Sequence, residues 1–202
     1  MQLTKSLSAV LLLMVLIYFC ATTHLFAKSS PDGFQEALQR YEEKAYSQAV
    51  PLLRTLVKAG DDRAMVLLAQ MYQFGEGVST NPAKSLELLI KSAAKNNAQA
   101  QYLLAGHYLG GKEFKQDFGK AFELNMKAAL QGHKLAQLTV GQALLNGIGV
   151  EMNICQARVW LQKAAMQGDA EANRLMIDTE KSECPNIRGQ SAPGKSKVPD
   201  AN

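Results

Sequence analysis

Apolar residues along the chain recur at intervals of three and four, the period of a helix with one buried face, and not at intervals of two. Leu67, Leu68, Met71 and Tyr72 form one such stripe, and Leu86, Leu89, Ile90 and Ala93 form a second after a glycine-containing break. The two stripes predict a helical hairpin. Earlier in the chain, Ala37, Tyr41, Ala45, Tyr46, Ala49, Leu52, Leu53 and Leu56 predict another hairpin, close to a tetratricopeptide design. Pro51 falls early in the second helix of that hairpin. With Ser47 as cap, the proline's missing N–H would do least harm.

The hairpin repeats at a constant spacing of 36 residues. Ala64, Ala100, Ala136 and Ala172 form one series; Leu68, Leu104 and Val140 a second; Tyr72, Tyr108 and Leu144 a third; Gly75, Gly111 and Gly147 a fourth; Lys91, Lys127 and Lys163 a fifth. Five series in one register mark a true internal repeat. The turn residues agree with it. Gly75-Glu76-Gly77-Val78 and Gly147-Ile148-Gly149-Val150 supply glycines able to take positive φ at the end of a first helix. Asn81, Asp117 and Asn153 stand where the second helix needs an N-cap, Pro82 suits its first position, and Gly60, Gly132 and Gly168 close second helices. One hairpin cannot bury its apolar stripe alone, whereas stacked hairpins share a continuous core. The expected fold is therefore all-α, a right-handed α/α superhelix of helix-turn-helix repeats.

The order Ala, Leu-Ala or Leu-Gly, Tyr, Gly-x-Gly-Val, Asn or Asp, Lys-Ala-Ala resembles the Sel1-like repeat over about Asp61 to Gly168. The last unit carries it most fully, with Gly147, Gly149, Val150, Asn153, Ala157, Trp160, Lys163, Ala164 and Ala165. The middle unit departs from the pattern with Glu113-Phe114 in the turn, and the first has Leu88 where the family often has tryptophan. The resulting division is an N-terminal hairpin at 28–60, repeats at 61–96, 97–132 and 133–168, and a capping helix at 169–184. The resemblance implies a protein-binding scaffold whose first helices line a concave groove. On that basis Gln39, Glu42, Arg63, Val66, Gln70, Gln73, Tyr102, Leu109, Leu138, Gln142 and Leu145 are the candidate groove residues. Apolar spots between amides, with few charges, suit an extended peptide or a helix. Leu109, Leu138 and Leu145 equally suit packing between neighbouring first helices.

The two ends have a different character. Lys5, the apolar run Leu7–Ala21 and the small residue Ala27 have the anatomy of a signal peptide spanning 1–27, cleaved after Ala27. Thr22, Thr23 and His24 interrupt the run before it reaches bilayer length, so a membrane role requires this segment to be retained. The periplasm or the extracellular space is the expected location. Residues 185–202 are polar, rich in glycine and proline, and predict a disordered tail. Formal net charge is +4 and drops to +3 when Lys5 is removed, too little for a nucleic-acid binder.

Candidate chemistry is sparse. Ser92-Ala-Ala-Lys95 fits the Ser-x-x-Lys pattern of penicillin-recognising enzymes, and a β-lactam-recognising envelope hydrolase is the alternative function. Ser92, however, is the counterpart of Ala128 and Ala164, a position for a small packing residue, and the companion motifs Ser-Asp-Asn and Lys-Thr-Gly are missing. The glycine pairs lack the Lys-Ser/Thr of a phosphate loop. His107 and His133, the histidines left after signal removal, lie 26 residues apart, and His107 stands where neighbouring units have Met71 and Ala143, which argues against a metal site. The lysine series is interleaved with Glu87 and Glu123 as on a solvated face. The reading is a non-enzyme without metal or cofactor, with a protein or peptide as partner.

Cys155 and Cys184 are the cysteines left after signal removal, an even number in an oxidising compartment. Cys155 falls in the first turn of one helix and Cys184 at the end of the next, at nearly equal distances from Gly168, so antiparallel packing brings them level. A bridge would add about 3 to 4 kcal/mol on the chain-entropy model. Intact-mass and non-reduced peptide analysis of protein from the native envelope is expected to find an N-terminus at Lys28 and one linked Cys155–Cys184 peptide pair. Two alkylated thiols, or a retained leader, would refute the respective reading.

Overall fold

The computed structural model describes residues 32–112 and 114–179; the expected signal peptide, the C-terminal tail, Glu113 and Cys184 lie outside them. Among the described residues there are nine α-helices and no strand. They are α1 (Gly33–Glu42), α2 (Tyr46–Lys58), α3 (Asp62–Phe74), α4 (Pro82–Ala94), α5 (Ala98–Gly110), α6 (Phe118–Leu130), α7 (Lys134–Asn146), α8 (Ile154–Met166) and α9 (Ala170–Asp178). From α3 to α8 every helix has 13 residues. None of the described helices is long and apolar enough to cross a membrane. The chain forms two compact units divided between Pro82 and Ala83.

The first unit holds α1 to α3. Ala37, Ala49 and Leu53 are completely buried where its first two helices meet the rest of the unit. The second helix departs from expectation. Ala45, without a side-chain cap bond, precedes α2, which makes Ser47 an interior residue and puts Pro51 inside the helix. A start at Tyr46 puts Ala49, Val50 and Leu53 on the buried side of the helix. Asp61 caps α3 by accepting from the Arg63 and Ala64 N–H groups, and Gly75 ends it at φ 76°. The turn that follows lies against the hairpin before it. A Cβ on Gly77 would stand 2.5 Å from the Tyr46 Cβ, and the Tyr41 and Tyr46 hydroxyls donate to the Glu76 carboxylate at 2.8 and 3.3 Å.

The second unit, α4 to α9, has one rhythm throughout. Asp117 and Asn153 cap α6 and α8 through their side chains, while their N–H groups reach back to the Tyr108 and Leu144 carbonyls of the preceding helix. The three-residue junctions between hairpins work the same way. The N–H groups of Asn97, His133 and Asp169 close the helix behind them on Ser92, Ala128 and Ala164. Their side chains then open the next helix by accepting from Ala100, Ala136 and Ala172. Gly132 and Gly168 precede two of these residues at φ 89° and 80°, and Asn96 takes the same left-handed conformation at φ 67°. Asparagine tolerates that region at lower cost than most side chains.

Many of the helix contacts in this unit are made by small residues, beside larger buried ones such as Leu104, Val140, Leu144 and Leu161. Ala100, Ala105, Ala121, Ala128, Ala136, Ala157, Ala164 and Ala172 are fully buried, which lets backbones approach closely. Two buried glutamines tie consecutive hairpins together. Gln137 donates to the Ala129 carbonyl and accepts from Gln167, which also donates to the Gly132 carbonyl. One repeat earlier, Gln101 donates to Asn96 and accepts from Gln131 at 2.9 Å. Each amide is satisfied by a partner 30 residues away, so a buried polar group costs little and specifies register.

The capping helix α9 follows the last repeat. Its described part runs from Ala170 to Asp178, followed by Thr179, whose N–H bonds the Leu175 and Met176 carbonyls and whose hydroxyl donates to Met176; the rest of the expected 169–184 segment lies outside the described residues. The Thr179 carbonyl in turn accepts from Arg158.

Two predictions follow from this packing. A Cβ on Gly149 would lie 2.1 Å from the Phe118 carbonyl oxygen at φ 72°, whereas at Gly168, φ 80°, it would meet nothing. Gly149→Ala should cost about 3 kcal/mol or more from clash plus strain; Gly168→Ala should cost about 1 kcal/mol from strain alone. Urea unfolding of both variants measures the difference, and equal losses would contradict the close approach. Asn125 is buried with an Oδ1 lacking a hydrogen-bond partner among the described residues, where the repeat elsewhere places buried Leu89 and Leu161. Asn125→Leu should raise stability by about 1 to 2 kcal/mol, read as a higher thermal midpoint.

Candidate partner-binding face

The first helix of each hairpin, α3, α5 and α7, must divide its residues between the core and a face left for contact. In the first unit, α3 buries Ala64 to Ala69 and Met71 and leaves Arg63, Gln70 and Gln73 wholly or partly open. Val66 does not belong with them. At 6% exposure it is a core residue, because the buried stripe of α3 is wider than a three-and-four spacing implies. Arg63 is engaged at one end of that helix. It pairs with Asp32 at 2.6 Å and Asp61 at 2.7 Å and lies over the Phe34 ring. Hydrogen bonding from Arg63 holds the Asp32 carboxyl below its usual range. Burial pushes Asp61 upward, but its hydrogen bonds from Arg63 and Ala64 outweigh that and lower it. Gln39 and Glu42 on α1 are exposed, the former donating to Glu43.

In the second unit the apolar candidates are half-buried and packed. Tyr102 and Leu145 lie against the cluster around Ala128, Ala136, Val140 and Trp160. Leu138 and Leu145 border the cluster of Leu161, Ala164 and Ala172, and Leu109 borders that of Leu104, Ala105, Ala121 and Leu124. These leucines act first as packing between neighbouring helices. Gln142 is half-exposed, with Leu135 and Thr139 accessible on the same side of α7. On α5, a Cβ added at Gly106 or Gly110 would meet nothing, so the surface there is open. Leu135, Gly106 and Gly110 escape a search for large or polar groove residues; only the helical spacing of Leu135 from Leu138 and Gln142 points to one of them.

His133 links these two helices. Its Nδ1 accepts from the Ala136 N–H at 3.1 Å, its Nε2 lies 2.8 Å from Gln99 Oε1, and its ring contacts that of Tyr102 at 4.8 Å. A lone pair at Nδ1 places the proton at Nε2, which donates to Gln99. The imidazole is thus part of the fold. His107 is half-buried in the last turn of α5.

Other candidates take structural places. Ser92 is 0% exposed on α4, and Lys95 is exposed beyond that helix's end. A hydroxyl withdrawn this far into helix packing offers no surface to a substrate, so the Ser92–Lys95 pair is not an accessible nucleophile and base. Lys91 pairs with Glu87 at 2.6 Å and Lys163 lies 4.1 Å over the Trp160 ring. The described residues contain no cluster of metal-ligating side chains. Cys155 is half-buried in the first turn of α8; its expected partner Cys184 is outside the described residues.

The Sel1 repeat family matches three consecutive segments, 62–97, 98–133 and 134–169, each beginning one residue after the boundary expected from the spacing. The crystal structure of a Sel1 repeat protein from Oxalobacter formigenes is similar at TM-score 0.66 and 29% identity, covering 70% of this chain and 58% of that one. A protective antigen present in uropathogenic Escherichia coli strains, c5321, displays an SLR fold and is similar at TM-score 0.59 and 32% identity, covering 63% of this chain and 27% of that one. The chain therefore spans less than two thirds of either structure. No curated protein matches it. Together with the helices described, these similarities show an all-α helical repeat solenoid.

Proposed function

The chain belongs to the Sel1 repeat family, and on that premise we propose that it is a scaffold of the cell envelope that holds a peptide or protein along the faces of its first helices. Family membership supports a protein-binding role in general, and the fold is generally a non-catalytic scaffold. The finer reading rests on one observation above all. Each unit by itself presents uncharged hydrogen-bonding side chains beside half-buried apolar ones, Gln70 and Gln73 on α3, where Arg63 is engaged by Asp32 and Asp61, and Thr139 and Gln142 on α7, next to exposed Leu135. Such a surface can satisfy a peptide backbone without demanding a particular charge.

The envelope location rests on the signal-peptide anatomy of residues 1–27 and on the cysteine count. The geometry near the C-terminus favours the bridge in a new way. Arg158, one helical turn after Cys155 on α8, holds the Thr179 carbonyl, and Cys184 follows Thr179 by five residues. Five residues can span up to about 17 Å. The bridge would tether the chain end to the last repeat, where a solenoid otherwise exposes an unpaired helix.

Gln73→Arg and Gln142→Arg test the binding face without disturbing the core. After crosslinking in native envelopes, each variant is expected to recover a wild-type partner at least about fivefold less well, the scale of one lost interface contact, with an unchanged melting temperature. Undiminished recovery by both folded variants would sink the assignment of this face.

A further inference from the structure

Four residues stand at the junctions between hairpins, Asp61, Asn97, His133 and Asp169, and each caps the helix that follows. Asparagine gains no proton in water, and a carboxyl keeps an acceptor oxygen even when protonated. His133 differs in kind. Its capping atom is Nδ1, and once that nitrogen is protonated it becomes a donor facing the donor N–H of Ala136.

We propose that His133 is an acid-sensitive joint between the second and third repeats, holding the start of α7 closed while its ring is neutral and releasing it when the ring is protonated. Protonation acts on three contacts. The hydrogen bond from Ala136 is lost. A positive charge is left at a helix N-terminus, where the helix dipole opposes it. The ring must turn away from Ala136, which disturbs its contact with Tyr102. The bond to Gln99 survives, since Nε2 is a donor in either state. Opening is therefore local to the first turn of α7.

The surroundings offer the charged ring no compensation. Tyr102 of α5 is the titratable side chain in contact with it, Lys127 lies in the last turn of α6, and Lys134 follows it on α7. Among the described residues no carboxylate acts on the ring. Burial alone displaces its titration, below the ordinary histidine value. The sign follows from that direction: the cap's contribution is complete above the unfolded value of about 6.5 and is lost as pH falls below it, because the unfolded chain binds the proton more readily.

Hydrogen–deuterium exchange of the full chain, corrected for intrinsic rates, tests the joint between about pH 7.5 and about pH 5. Protection at the Ala136 amide is expected to fall about fivefold on acidification, while that at Ala100 and Ala172 holds. His133→Asn, which restores the side chain used at Asn97, should keep Ala136 protected at both pH values. Imidazole nitrogen NMR of the wild type should show the proton on Nε2 at neutral pH. An Nδ1–H tautomer, unchanged protection in the wild type, or an equal loss in wild type and variant would each overturn the proposal.

Discussion

Every described junction between helices in the second unit depends on one residue doing two things at once. At Asn97, His133 and Asp169 the backbone N–H finishes one helix while the side chain begins the next. Asp117 and Asn153 do likewise at the longer turns. Helix ends leave four donors or acceptors without intrahelical partners, and a connection of three residues has no spare groups to satisfy them. A residue that serves both ends removes that cost and leaves the chain no slack. The constant repeat length follows, since a single inserted residue would uncouple the two bonds.

With the connections this tight, the helices can stack only if their contact surfaces are shallow. The fully buried alanines meet that need, and Gln101 and Gln137 add polar ties between hairpins that an apolar surface could not register. The second glycine of the long turn belongs to the same scheme. Gly77 meets Tyr46 and Gly149 meets Phe118, residues related by the repeat spacing, each where the chain passes the start of the preceding second helix. Those glycines are kept for close approach as much as for conformation.

A first helix with such neighbours has little surface left. The large apolar candidates on α5 and α7 are drawn toward the clusters beneath them, and what stays accessible includes amide, hydroxyl and glycine positions together with Leu135.

The amino-acid sequence alone determined the helical hairpins, their spacing, the glycine turns and the asparagine and aspartate caps. Each of these is a local preference written within a few residues and repeated in register, so it needs no knowledge of distant contacts. The tertiary structure decided what depends on neighbours. It moved Val66 into the core, began α2 ahead of Ser47, and withdrew Ser92 from solvent. It also turned His133 from a stray histidine into a cap, because the role of its Nδ1 is settled by Gln99 and Tyr102, more than thirty residues away in sequence. Burial and hydrogen-bond partnership across such separations are properties of the packed repeat, and no pattern along a single helix contains them.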